Sequence, residues 1–70
     1  MRNRKVTGIF NRPSDAEKLK DELLEAGVAL HRIAISDKTV AVVARSPVDR
    51  EYIARLMLEC GAKETLESRT

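Results

Sequence analysis

Aromatic residues are nearly missing from this chain, which holds one Phe, one Tyr and no Trp. Single-stranded nucleic acid is read by stacking bases on aromatic side chains. Phe10 at a strand end and Tyr52 on a helix do not supply such a platform, so any nucleic-acid binding is expected to follow the backbone and to fall steeply with salt. Cysteine and histidine are equally scarce, one of each. A lone Cys60 rules out an intrachain disulfide, and together with a lone His31 it cannot build a structural zinc site. The reducing cytoplasm is the expected compartment. Long apolar runs are lacking too. Val6 to Phe10 is broken by Thr7 and Gly8 and ends at Asn11-Arg12-Pro13, so the basic residues before it do not begin a signal peptide, and no membrane contact is expected.

Motifs for chemistry are also missing. No Cys-x-x-Cys, phosphate-binding glycine loop or dinucleotide fingerprint occurs. His31 is expected as a solvated loop residue and Cys60 as a small buried hydrophobe on a helix. No catalytic residue, metal ligand or cofactor is expected, and the chain reads as a protein that is not an enzyme.

What is present describes one globular domain over residues 1–70. Apolar residues make up 43% and charged residues 34% of the chain, far too much Val, Ile and Leu for a disordered segment. Residues 1–4 are expected as a flexible basic start and 67–70 as a frayed end. A core of this size rarely yields more than about 3 to 5 kcal/mol without a staple. With neither disulfide nor metal to supply one, self-association is the staple that remains.

Sliding the sequence by 34 positions matches Val6 with Val40, Pro13 with Pro47, Asp15 with Asp49, Leu24 with Leu58 and Gly27 with Gly61. Each half then reads as strand, helix, strand, the pseudo-symmetry of a ferredoxin-like β-α-β-β-α-β split sandwich. Two helices are expected on one face of a four-stranded antiparallel sheet. Ser14 with Glu17 reads as a capping box for the first helix, and Ser46-Pro47 with Asp49 as the cap of the second. Gly27 and Gly61 are expected to end them in the left-handed conformation. Ala16, Leu19, Leu23 and Ala26 form one apolar stripe, and Ile53, Leu56, Met57 and Cys60 the other.

Strands are expected at 5–10, 32–36, 39–44 and 62–66, with Asp37-Lys38 as a two-residue hairpin turn. That turn sets Ile35 opposite Val40 and Ile33 opposite Val42 on the helix side. Ala34, Ser36, Thr39, Ala41 and Val43 then face outward with Thr7 and Ile9. None of these is charged. In a chain one-third charged, an outer sheet face without charge is expected to be a partner surface, either for a second copy or for another protein.

The topology also gathers basic residues at one end of the sheet: Arg2, Arg4, Lys5, His31, Arg32, Arg45 and Arg50, beside Ser46 where the second helix begins. A helix N-terminus favours an anion, so a phosphate group or nucleic-acid backbone is one expected ligand. Glu25, Asp49 and Glu67 dilute that field. A third alternative is a small-ligand sensor like ACT domains, which share this topology.

Val6-Thr7-Gly8-Ile9-Phe10-Asn11, followed by Ser14-Asp15-Ala16-Glu17, Leu23 and Ala26-Gly27-Val28, resembles the start of bacterial general-stress-protein-type domains. Val40-Ala41-Val42-Val43 with Cys60-Gly61-Ala62 also resembles that family and related small signal-transducing domains. The resemblance implies the same split sandwich and a stress-related or regulatory role, with no catalytic residues to transfer. Many stress-type members carry a Gly-rich insertion between the central strands, and this chain has none.

Overall fold

The computed structural model describes residues 4–69. Strand β1 (Arg4–Ile9) leads into helix α1 (Pro13–Glu25), a 3-10 turn at Leu30–Arg32 and strand β2 (Ile33–Ser36). Strand β3 (Thr39–Ala44), helix α2 (Pro47–Glu59) and strand β4 (Glu64–Arg69) follow. The strands pair antiparallel in the order β2-β3-β1-β4. This is the α+β ferredoxin-like arrangement, with the first strand of each half at the centre and the second at an edge.

The hairpin closes at Ser36 opposite Thr39, and Asp37 takes the positive φ (52°) that so tight a turn requires. Ile35 faces Val40 and Ile33 faces Val42, as the two-residue turn predicts. Alternation then sends Val6, Val40 and Val42 to the helices, where they are fully buried with Phe10, Ala16, Leu19, Leu23, Ile53 and Met57. Full burial of a Val, Leu, Ile or Phe side chain contributes about 1.5 to 3 kcal/mol, so these residues carry the fold. Gly8 lies on the same face by the same alternation, under the Met57 side chain of α2. A Cβ there would sit 2.8 Å from the Met57 sulfur.

Both helices end in the same way. Val28 N–H donates to Leu23 C=O and Gly27 N–H to Leu24 C=O; Ala62 and Gly61 repeat this on Met57 and Leu58. Gly27 and Gly61 supply the positive φ at +96° and +95°.

Several boundaries differ from the sequence expectation. Helix α1 begins one residue before Ser14, with Pro13 in its first turn, and the cap position falls to Arg12, which makes no side-chain capping bond. Proline's fixed φ prefers the first helical position, and that preference outweighs the capping box. Ala26 is exposed and Cys60 only half-buried, because each is the C-cap residue just beyond its helix and lies past the end of the stripe. Strand β4 is displaced toward the C-terminus of the range expected for it. Residues 67–69, expected as a frayed end, pair with β1 as far as Arg4. The central strand offers backbone partners along that whole length. Residues 1–3, including Arg2, lie outside the described residues.

Candidate functional site

Two surfaces collect the residues expected to matter. The first is the outer sheet face. Register places Leu66, Thr7, Ala41 and Ala34 in one row across all four strands, and Ile9, Thr39 and Ser36 in the next. Val43 continues the face toward the start of α2. All six residues expected on a partner surface, Thr7, Ile9, Ala34, Ser36, Ala41 and Val43, therefore share it. Leu66 was not expected there. It stands 48% exposed beside Thr7, and its signal was the alternation Glu64, Leu66 along β4. Charge enters only at the margins, through Lys5 opposite Val43 and Glu64 opposite Ile9.

The second surface lies where α2 begins. The 3-10 turn brings Arg32 to the end of β2, and its guanidinium turns inward, leaving 12% of the side chain exposed. Its Nε and Nη2 donate to the Val43 carbonyl at 3.0 and 2.8 Å. Nη2 also donates to Asp49 Oδ2. That same carboxylate oxygen accepts from the Arg45 N–H at 3.0 Å, while the Asp49 N–H donates to Ser46 Oγ at 3.1 Å. Asp49 thus links the exit from β3, the N-terminus of α2 and the entry to β2. A helix start favours an anion, and here the chain supplies that anion itself.

The basic residues divide accordingly. Arg32 is held by Asp49, and Arg4 and Arg50 lie 3.8 and 3.5 Å from the Glu67 carboxylate. Lys5 belongs to the outer face. His31 and Arg45 line an open depression of about 420 Å³ with Arg32 and Val43. Among the described residues, Arg45 has no carboxylate within ion-pair distance of its side chain. A second depression, sharing Arg32 and Arg45 with the first, is lined by Ser46, Asp49, Val48 and Tyr52, the last two exposed. Their signal was spacing: Val48 and Tyr52 stand four apart, next to the buried positions Ile53 and Met57 but off their stripe.

The described residues hold no cluster of His, Cys, Asp and Glu able to bind a metal ion, and no helix long and apolar enough to cross a membrane. Cys60 touches the core at the end of α2. Burial first, and then the nearby Glu22 carboxylate, push its thiol pKa above the ordinary value, with Lys18 opposing. Such a thiol is a poor nucleophile at neutral pH. Chemically, the two surfaces offer an uncharged flat contact and a small rim whose free charge is the Arg45 guanidinium.

The class this geometry defines is a compact ferredoxin-like α+β domain. Compared with models of known families, with curated proteins and with solved structures, the chain matches none of them.

Proposed function

We propose that this chain is a non-catalytic interaction or regulatory module that works through the outer face of its sheet, by self-association or by docking a protein partner. One observation carries the reading. Across four strands, the two rows centred on Thr7, Ala41, Ile9 and Thr39 hold a single charged residue, Glu64 on the margin, in a chain with 24 charged side chains. A solvated outer face alternates with charged and polar residues. Neither helix covers this face, since the buried set lies on its opposite side.

The resemblance to stress-type and signal-transducing domains fits a role defined by contact. Arg45, with His31 beside it, borders the face at Val43, and its charge favours an acidic group at that margin of the partner.

Val43→Lys tests the reading, because Val43 is half-exposed and its structural role is through its carbonyl, which the substitution keeps. Sedimentation equilibrium should show the variant losing a contact that the wild type makes, with an unchanged circular dichroism spectrum. Association unaffected by Val43→Lys would refute self-association through the face.

A further inference from the structure

The two edges of the sheet are built differently. Strand β4 has Glu64, Glu67 and Arg69 among its six residues, the charges that natural edge strands use to refuse further pairing. Strand β2 reads Ile33-Ala34-Ile35-Ser36, with no charge and no proline. Its free side can be worked out from the ladder. Phe10 N–H donates to Lys38 C=O at 2.8 Å, so Lys38 bonds toward β1 and Thr39 toward β2. Ser36 and Ala34, opposite Thr39 and Ala41, therefore bond inward, and the N–H and C=O of Ile35 point away from the sheet. The N–H of Ile33 is already taken by Leu30 C=O.

Large apolar side chains flank the same edge. Ile35 is 37% exposed although it faces the helices, because nothing lies beyond β2. Leu24 is 39% exposed on α1. Cys60 of α2 senses Asp15, Lys18 and Glu22, so that flank of α1 faces α2. By helical spacing, Leu24 lies on the opposite flank, over the β2 side. Leu30, in the turn entering β2, is more exposed still.

From these observations we propose that β2 is a homodimer interface: two copies pair β2 with β2 antiparallel about a two-fold axis at Ile35, joining their sheets into one of eight strands. The Ile35 residues then exchange both outward backbone bonds. Their side chains meet on the helix side. On the outer face Ala34 comes opposite Ser36 of the other copy, two small uncharged residues. The axis also sets Asp37 of each turn opposite Ile33 of the other copy, at the end of the sheet that holds His31 and Arg45. A second copy suits the edge because identical uncharged strands meet without like charges. Two-fold pairing also consumes both open edges, leaving only the charged β4 edges outside, so pairing through the edge stops at two. This contact is separate from the outer face and lengthens that face across the axis.

Sedimentation equilibrium of the full chain, together with hydrogen exchange of the wild type, tests the proposal. Ile35→Lys should halve the mass of the species the wild type forms, whereas Val43→Lys should leave at least a dimer. In the wild type, exchange of the Ile35 amide should slow as concentration rises, while the Thr65 and Glu67 amides, on the outer side of β4, do not change. That measurement decides the matter even if Ile35→Lys fails to fold. A wild type that stays monomeric to high micromolar concentration, or Ile35 exchange independent of concentration, would overturn the interface. Loss of all association in Val43→Lys with none in Ile35→Lys would leave the face as the contact and also overturn the edge.

Discussion

Helices α1 and α2 have equal length, begin with a proline in the first turn and end on matching glycines, yet their first turns are held differently. At α2, Ser46 caps the helix, and Asp49 gathers Arg32 and the Arg45 N–H. At α1 the matching positions are Arg12 and Asp15. They make only an ion pair of 3.6 Å, with the Arg12 side chain 75% exposed. One half of the pseudo-repeat therefore has a knot of bonds linking two strands and a helix, and the other has a surface pair. A repeat in sequence preserves element order without preserving where the bonds are concentrated.

Substitution of the two matched aspartates probes that difference most strongly. Asp49→Ala leaves the inward-turned Arg32 guanidinium without its counter-charge and should cost about 2 to 3 kcal/mol, since breaking a well-buried pair costs somewhat more. Asp15→Ala should cost about 0.5 kcal/mol or less, as exposed pairs do. Urea unfolding of the two variants measures both, and equal losses would erase the distinction between the halves. The caps give a smaller contrast. Ser46→Ala should lose about 1 kcal/mol, whereas Arg12→Ser, which installs the missing cap on α1, should gain about 0.5 kcal/mol. A loss in Arg12→Ser would mean that its ion pair outweighs the absent cap.

The smallest effect lies at the helix ends, where Cys60 matches Ala26. The native state favours the neutral thiol, so its pKa is raised and the folded form binds the proton more tightly. Stability should therefore fall as pH climbs from the ordinary thiol pKa toward the raised native value. Cys60→Ala should flatten that slope. Iodoacetamide should label native Cys60 more slowly at neutral pH than the unfolded chain, and equal rates would contradict the burial.

Much of the fold was legible because it rests on local rules. The glycine stops, the second cap and the hairpin register depend on φ preference, side-chain reach and a period of two, all of which act within a few residues. The first cap was misplaced because two local rules competed at adjacent positions, Pro13 and Ser14. The candidate face was legible for six residues and missed Leu66, since its row is completed by a strand from the other end of the chain.

The basic cluster shows where local reading stops. Sequence alone determined that the cations of the described residues would gather at one end of the sheet, because topology carries the start of β1, the loop after α1 and the start of α2 to the same pole. It also determined an outer sheet face without charge at its centre, because alternation and register follow from residue order. Only the tertiary structure decided which cations are committed: Arg32 to Asp49, Arg4 and Arg50 to Glu67, leaving Arg45 at the rim beside His31. It alone decided that β4 is a charged edge and β2 an open one. The physical reason is range. Helix caps, turns and strand periodicity act between neighbours in sequence, whereas an ion pair or a sheet edge depends on which distant segments the packed core has brought together.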